Sequence, residues 1–237
     1  MVPSASVSLT VSGFRTVSVV ERDLVWDGCR NARDLGGLVL ANGEMTRFGR
    51  VARADDPSRL TGAGWKALRA DGFRTVIGLR TVGTEDDEPD PAMIPSGVTV
   101  ERVELEDATE ADFRRRCIDT GFWTTPLEWS EMLQGWPERC ATAITAVARA
   151  CDGGVVISCG LGRDRTGLVA FLVQALVGVT ADEIAQDWSR SIPRLIGDPA
   201  ADASPALQVL EERGTTVDAA VRTALDMDVE ARLRDGA

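Results

Sequence analysis

Hydrophobic and polar side chains alternate along the first sixty residues. Segments 7–11, 16–20 and 47–51 follow this pattern, and Ser-Gly, Asp-Gly, Gly-Gly and Asn-Gly pairs punctuate the region. A two-residue period is typical of strands with one buried face, and such glycine pairs are typical of tight turns. We therefore expect residues 1–60 to be rich in short antiparallel strands and to form an N-terminal β-hairpin extension.

The hydrophobic period lengthens after residue 60. Trp65 and Leu68 precede an Asp71-Gly72 stop, which predicts a short helix. Further periodic or apolar segments predict strands at 73–77, 98–103 and 155–157, and helices at 136–150, 165–177, 180–188 and 216–225. Thr180 and Glu183 have the spacing of a capping box. Alternating helices and strands predict an α/β fold with a central, mostly parallel sheet flanked by helices, and ligands at the carboxyl ends of its strands.

Residues 104–135 mix charged and aromatic side chains. We expect helices at an edge of the domain there, with a lid as one hypothesis for the segment. Three arginines lie among aromatic residues at 113–123, which fits a lid that recruits anionic substrates. A solvated helix face with one buried side is the favoured alternative. Residues 180–237 are predicted to be a helical C-terminal part of the same domain.

Length and charge limit the classes of function. The chain has 237 residues, is 44% hydrophobic and carries a formal net charge of −11. That length suits one domain, here taken as 1–237, with one large core. A net anion has no general attraction for nucleic acid or an anionic membrane, so neither is an expected partner. An anionic substrate would need a local basic pocket.

The cysteines and the apolar runs predict a cytoplasmic protein. There are five cysteines, an odd number, and no two of them form a CxxC pair. This argues against a disulfide framework and a four-thiolate zinc site. The N-terminal residues lack the pattern of a signal peptide, and the longest apolar run, at 168–179, is short and interrupted. We expect no stable membrane insertion.

Two residue types are absent from the chain: histidine and tyrosine. Ser-His-Asp and Cys-His hydrolysis are therefore excluded, and so are histidine-ligated metal centres. No metal or other cofactor is expected. Any nucleophile must be activated by groups other than an imidazole.

A thiol and a guanidinium group lie on one glycine-rich turn, Cys159-Gly-Leu-Gly-Arg-Asp-Arg165, between a predicted strand and a predicted helix. Glycines let backbone N–H groups converge at a helix N-terminus, where they bind a tetrahedral anion. The same donors and Arg165 would favour the thiolate of Cys159. Thr166 could donate its hydroxyl to that sulfur. The expected phosphate-binding residues are Gly160, Leu161, Gly162, Arg163, Asp164 and Arg165.

This CxxGxDRTG sequence resembles the loop of cysteine-dependent phosphatases, most closely the bacterial tyrosine/serine protein phosphatase family. Further segments are similar to that family's other motifs. These segments are N-x-RDLGG at 31–37, the arginine-led stretch at 53–56, TVIGLR at 75–80, and Gly178-Val179 with Ile184 and Asp187-Trp188. The resemblance spans roughly residues 26–188, and the loop is its specific part.

The resemblance implies metal-independent hydrolysis of phosphomonoesters in two steps. Cys159 would attack phosphorus, Arg165 would clamp the phosphoryl oxygens, and water would then hydrolyse the phosphocysteine. Arg163 would add positive charge at the rim of the site. Asp164 would either point away from the phosphate or be held protonated as a proton donor. The substrate could be a phosphoprotein, a phosphoinositide or a small phosphorylated metabolite.

Two positions depart from the family pattern. Ser158 replaces the histidine before the cysteine, and Gly78 replaces the aspartate before Leu-Arg. Leaving-group protonation is then unassigned, with Asp164 as the first candidate. Further candidates are Asp55, Asp56 and Asp86. A phosphoaryl substrate would suffer least from the loss.

Other functions remain as alternatives. A pseudophosphatase would bind phosphate without turnover because of the two departures, and sulfur transfer by a rhodanese-like loop is disfavoured by the DRTG continuation. The missing GK[ST] excludes a nucleotide P-loop, and Arg165 stands where a dinucleotide fingerprint needs glycine.

Several other residues carry structural expectations. Arg33 and Asp34 are expected to form an ion pair under the loop, and Trp188 is expected to lie in the core. Arg80 could line the pocket or pair with the acidic run at 84–90. The sequence favours neither of these two alternatives for Arg80.

Overall fold

Five strands form one sheet in the computed structural model, which describes residues 21–84, 87–150, 153–195 and 204–236. The strands are β1 (Arg33–Asp34), β2 (Val51–Ala54), β3 (Phe73–Val82), β4 (Thr99–Asp107) and β5 (Gly154–Ser158). Their order is β1-β2-β5-β3-β4, and only β1 runs antiparallel to its neighbour. The predicted α/β fold with a mostly parallel central sheet is confirmed.

Ten α-helices accompany the sheet in the described ranges. They are α1 (Gly62–Ala70), α2 (Ala111–Phe113), α3 (Leu127–Gly135), α4 (Pro137–Arg149), α5 (Arg165–Leu176), α6 (Ala181–Ser189), α7 (Ser191–Arg194), α8 (Ser204–Glu212), α9 (Val217–Leu225) and α10 (Val229–Asp235). A π-helical turn, Arg114–Ile118, continues α2. None of the helices in these ranges is long and apolar enough to cross a membrane.

The sheet separates two hydrophobic cores, because successive side chains on a strand point to opposite faces. Val76 and Val156 belong to the smaller core, which α1 covers, while Ile77 and Ile157 belong to the larger core with α3, α4 and α5. Helix α5 is buried on nearly all sides, and apart from Arg165, Thr166 and Gln174 its residues are apolar or glycine, so it has no polar face. The first residue of this central helix is Arg165.

The N-terminal part differs from its expected strand-rich form. The predicted strand at 47–51 is wrong in position, because residues 47–50 form a turn and β2 begins at Val51. Gly49 makes the turn with a φ of +69° and donates its N–H to Asp34. Most of residues 21–60 outside the short strands β1 and β2 are turns, isolated bridges and irregular segments. The predicted strands at 7–11 and 16–20, and with them the β-hairpin extension, lie outside the described residues.

The predicted helices and strands after residue 60 are present with small differences in their ends. β3 and β4 each extend beyond the predicted strands, to Val82 and Asp107. The side chain of Thr180 does not cap α6, so the predicted capping box is not formed. The N–H of Thr180 instead donates to the Val39 carbonyl, which ties the helix start to the N-terminal turns.

Residues 111–135 pack one side against the larger core. Phe113, Cys117 and Trp129 are buried there. The three arginines at 114–116 lie toward solvent, where Arg115 and Arg116 pair with acidic neighbours. This packing favours a helix with one buried side over a lid.

Candidate active site

The glycine-rich turn connects β5 to α5 at the carboxyl edge of the sheet. Cys159 follows the last residue of β5 and is buried, and Arg165 is the first residue of α5. The Arg165 guanidinium folds back over the turn, because its Nη2 lies 3.8 Å from the position that a Cβ of Gly160 would occupy. The structure therefore brings the guanidinium over the residue that follows the thiol. We call residues 159–165 the phosphate loop.

Gly162 lets the phosphate loop pass close to the end of β2. Its φ is +64°, in the left-handed region that favours glycine, and a Cβ there would lie 2.4 Å from the Ala54 carbonyl oxygen. A larger residue would push the loop away from the strand. This glycine has a steric function and contributes its N–H as well.

The carbonyl groups of the phosphate loop are held on its outer side. Asn31 Nδ2 donates to the carbonyls of Leu161 at 3.0 Å and Gly162 at 3.2 Å. Arg53 Nη2 donates to the carbonyls of Gly162 at 2.8 Å and Arg163 at 3.2 Å. Because the C=O and the N–H of one planar peptide point in opposite directions, these bonds turn the following N–H groups toward the inside of the loop. The result is a nest of donors suited to an anion.

Asp187 anchors the arginine that holds these carbonyls. Its carboxylate accepts from Arg53 at 2.7 Å, and from Arg33 and Arg22 at 3.0 Å each, with all four side chains buried. Burial alone would raise the pKa of Asp187, but the three guanidinium groups outweigh it and hold the pKa far below its usual range. Burial and the charge of Arg53 lower the pKa of Arg33 to about 9, against the opposing effect of Asp187. We call these four residues the Asp187 cluster.

The expected ion pair between Arg33 and Asp34 is not formed. Arg33 binds Asp187, while the Asp34 carboxylate accepts from the N–H groups of Gly36 and Gly49, each at 2.7 Å. Adjacent residues on a strand point to opposite faces, so their side chains cannot meet readily. Asp34 therefore stabilises the turns after β1.

Comparison with known protein families identifies the family of this chain. The family model described as "Tyrosine phosphatase family" matches residues 24–229. The chain belongs to the tyrosine phosphatase family. It is accordingly a phosphoric monoester hydrolase.

Known proteins resemble this phosphatase over most of its length. A Cupriavidus necator protein, provisionally named as a tyrosine-protein phosphatase, is 29% identical and aligns with 99% of this chain and 89% of its own. The triple specificity protein phosphatase PtpB of Mycobacterium tuberculosis is 28% identical over 71% of this chain and 70% of PtpB. The crystal structure of TpbA from P. aeruginosa is 20% identical, covers 77% of this chain and 89% of TpbA, and gives a TM-score of 0.38.

The sequence predicts that Arg163 lies at the rim of the phosphatase site, and this prediction is wrong. It is buried and binds both carboxylate oxygens of Asp164, at 2.9 and 3.3 Å. Burial raises the pKa of Asp164, and the guanidinium groups of Arg163 and Arg165 lower it in part. Asp164 is thus turned toward its neighbour in the chain, and its raised pKa keeps it a candidate proton donor.

Thr166 has an unusual hydroxyl. Its Oγ1 is buried and has no hydrogen-bond partner among the described residues, so the expected bond to the sulfur of Cys159 is not formed. A helical threonine often donates to the carbonyl four residues earlier. Here that carbonyl belongs to Gly162 and already accepts from Asn31 and Arg53. The fold leaves the hydroxyl uncommitted beside the loop.

The two departures from the family pattern have structural explanations. The Ser158 hydroxyl donates to the Ile77 carbonyl at 3.1 Å and so joins β5 to β3. At Gly78, a Cβ would lie 3.3 Å from Nη2 of Arg80, whose buried guanidinium occupies the space beside the glycine. Arg80 binds the Glu88 carboxylate and the Asp87 carbonyl, both at 3.1 Å. Of the two alternatives for Arg80, pairing with the acidic segment is confirmed.

The other candidate proton donors are engaged in local structure. Asp55 accepts from the thiol of Cys29 and from the N–H groups of Arg30 and Asn31. Asp56 caps the short 3-10 turn that follows it. Asp86 lies outside the described residues. Burial, together with the Asp55 charge, raises the pKa of Cys29 well above its usual value, so this second thiol near the loop stays protonated.

Several residues of the site were not assigned a role from the sequence. Asn31, Arg53 and Asp187 lie in segments that match the family, but their spacing does not show that they meet. Two buried glutamates near Arg165, Glu106 and Glu128, fall in the segment whose structure was hardest to predict. Within the described ranges, no group of three or more His, Cys, Asp or Glu side chains could hold a metal ion.

Substituting Asn31 tests the outward anchoring of the loop carbonyls. Asn31→Ala removes the donor to Leu161 and one of two donors to Gly162, and should cost about 1–3 kcal/mol in free energy of unfolding. We also expect weaker binding of vanadate, because the inward N–H groups are no longer held in place. Chemical denaturation and vanadate titration measure the two effects. The exposed amide of Asn42 provides the control Asn42→Ala, and equal effects of both variants would contradict the anchoring.

Substituting Asp187 tests the buried cluster. Asp187→Asn leaves three buried guanidinium groups without their carboxylate and should destabilise the protein by about 3–5 kcal/mol. The depressed pKa of Asp187 means that its contribution is present above the unfolded pKa of about 4 and declines as the pH falls below it. The free energy of unfolding should therefore fall less steeply between pH 7 and pH 3 in the variant than in the wild type. The exposed Asp226→Asn is the control, and an unchanged slope in Asp187→Asn would contradict the prediction.

Proposed function

We propose that this phosphatase works through a phosphocysteine intermediate, with Cys159 as the nucleophile. The sulfur attacks phosphorus while the bond to the leaving-group oxygen breaks. Water then attacks phosphorus, the S–P bond breaks, and inorganic phosphate leaves. The observation that carries the proposal is the phosphate loop itself, whose carbonyls are tied outward and whose Arg165 folds over the residue next to the thiol.

The loop would stabilise charge on the transferring phosphoryl group. Its inward N–H groups and the N-terminus of α5 supply donors, and Arg165 supplies a planar pair of N–H groups for two oxygens. The phosphate-binding residues of this proposal are Gly160, Leu161, Gly162, Arg163, Asp164 and Arg165. Among them Arg163 acts through its backbone, because its side chain is bound to Asp164.

Thr166 is proposed to assist the second step. An uncommitted buried hydroxyl beside the loop can donate to the sulfur as the S–P bond breaks and negative charge returns to it. Thr166→Val should then slow hydrolysis of the intermediate more than its formation. Rapid quenching should trap more phosphoenzyme in this variant than in the wild type, whereas Thr166→Ser should restore the wild-type level. Equal phosphoenzyme levels in all three proteins would refute this role.

Aryl phosphates are the proposed substrate class, with phosphotyrosine in a protein as the main case. Gly78 supplies no carboxyl group, Asp55 and Asp56 are engaged elsewhere, and Asp164 is the remaining described candidate for the proton donor. A phenolate leaves without full protonation more easily than an alkoxide. Phosphoinositides and small phosphorylated metabolites remain alternative substrates. The described cysteines are free thiols, which supports a reducing, cytoplasmic location.

Family membership favours a phosphatase over a phosphate-binding pseudophosphatase, the alternative that Ser158 and Gly78 suggest, and turnover by the purified protein tests this directly. We expect a burst and steady hydrolysis of p-nitrophenyl phosphate by the wild type. Cys159→Ser should lose both but still bind phosphate, because the loop donors are unchanged. Vanadate binding without hydrolysis by the wild type at any pH from about 5 to 8 would support the pseudophosphatase instead.

The pH–rate profiles of aryl and alkyl phosphates test Asp164 as the proton donor. If Asp164 protonates the leaving group, Asp164→Asn should reduce kcat for alkyl phosphates by about 10²-fold or more and for p-nitrophenyl phosphate much less. The fall in kcat for alkyl phosphates at higher pH, which reports the loss of the Asp164 proton, should also disappear. Similar losses for both substrates would contradict an acid role and leave Asp164 as the partner of Arg163.

A further inference from the structure

Two buried glutamates, Glu106 and Glu128, lie close to each other, and Glu106 lies beside Arg165. Glu106 is near the end of β4, Glu128 is in the first turn of α3, and both side chains are almost completely buried. Oε2 of Glu106 lies 4.0 Å from Nε of Arg165. The Arg165 Nη1 donates to the Leu79 carbonyl at 3.1 Å. The guanidinium is thus approached from its Nε side by a carboxyl group and from its Nη1 side by a carbonyl.

The hydrogen bonds of these glutamates require a shared proton. Oε2 of Glu106 accepts from the Thr81 hydroxyl at 2.5 Å, and Oε2 of Glu128 accepts from the Thr124 N–H at 3.2 Å. Oε1 of each glutamate is buried and has no donor among the described residues. The two carboxyl groups affect each other as a hydrogen-bonded pair does: the interaction lowers the pKa of Glu106 and raises the pKa of Glu128. Since ionised carboxylates only accept, one of the two must carry a proton.

The surroundings assign that proton to Glu128. Burial, followed by the charge of Glu106, raises the pKa of Glu128 well above its usual value. Burial also raises the pKa of Glu106, but the charge of Arg165 and the hydrogen bond from Glu128 oppose this. Glu106 is therefore the ionised partner of Arg165, and Glu128 is the neutral donor to Glu106.

We propose that Glu106 and Glu128 form a carboxyl–carboxylate pair that shares one proton and positions Arg165 for the phosphoryl group. Glu106 holds the guanidinium by charge, and Glu128 holds the Glu106 carboxylate without adding a second charge. Both are positioning residues, because neither is placed to touch substrate. The inference rests on the proposed function of Arg165 as the phosphate clamp.

Groups on every neighbouring element affect the titration of the pair. Arg165 is the cation that faces it, and Asp164 adds a carboxyl on the phosphate loop. Two thiols also lie near the pair: Cys117 on the π-helical turn, whose pKa burial raises well above its usual value, and Cys140 on α4, whose pKa burial raises to about 12. Both thiols are therefore neutral when the pair titrates, and Asp164 is the acidic group that could shift it.

The sign of the pH effect follows from the raised pKa of Glu128. An unfolded glutamate loses its proton near pH 4.3, whereas the folded pair keeps one to higher pH. The folded state then binds more protons than the unfolded state, so stability falls as the pH rises through this window. Loss of the proton also places a second negative charge near the phosphate clamp.

A matched set of glutamine variants tests the pair. Glu128→Gln keeps a neutral donor to Glu106, so it should retain more of the wild-type vanadate affinity, and more p-nitrophenyl phosphate turnover at pH 6, than Glu106→Gln does. Glu106→Gln removes the charge that holds Arg165, and should weaken vanadate binding and kcat/KM by on the order of 10-fold or more. The exposed Glu138→Gln is the control and should resemble the wild type in every measurement.

Two measurements separate positioning from a general effect on folding. The Tm gain of Glu128→Gln over the wild type should be larger at pH 8 than at pH 5, because the amide has no proton to lose. Infrared difference spectra should lose the carbonyl band of one protonated carboxylic acid in Glu128→Gln, whereas Glu138→Gln should keep it.

The outcomes distinguish this inference from the proposed turnover. If the wild type binds vanadate but hydrolyses nothing, and Glu106→Gln alone weakens vanadate binding, the pair is supported and the catalytic proposal fails. The pair is refuted if Glu128→Gln loses as much vanadate affinity as Glu106→Gln. It is also refuted if the Tm gain of Glu128→Gln is the same at both pH values, or if Glu106→Gln binds vanadate as the wild type does.

Discussion

The bonds from Asp187 through Arg53 to the phosphate loop are the interaction on which the site depends. Asp187 lies in α6 and Arg53 in β2, so the cluster forms only when distant segments have packed together. Buried ion pairs need not add stability, because desolvation of the charges offsets their attraction. Here they fix the position of the phosphate loop, because Arg53 binds both Asp187 and the loop carbonyls only in this packing. The inward direction of the loop N–H groups is a consequence.

The cluster also gives an acidic protein a local concentration of positive charge. The chain as a whole has a formal net charge of −11. Beneath the phosphate loop, however, three buried guanidinium groups share the one carboxylate of Asp187 among the described residues. Buried charges are screened less by salt than those at the surface, so this local excess acts at short range on the loop. The positive charge is therefore local to the site, while the net charge of the chain is negative.

Proton transfer in this site must be carried by carboxyl and hydroxyl groups. The chain lacks histidine and tyrosine, and Arg80 occupies the space beside Gly78 where the family has an acid. Burial raises the pKa of Asp164 and of Glu128, which makes protonated carboxyl groups available at higher pH than usual. Thr166 adds a hydroxyl with no competing acceptor. Each of these properties comes from burial of an ordinary side chain.

The sequence alone determined the strand, loop and helix around Cys159, the α/β class and most helices, because these depend on local periodicity and on glycines at fixed positions. Packing alone decided that Arg33 binds Asp187 instead of Asp34, that Arg163 turns to Asp164, and that Glu106 meets Glu128. With 26 basic and 37 acidic residues, many pairings fit the sequence equally well. Spacing along a chain does not constrain which distant charges are buried together, because only tertiary packing sets that choice.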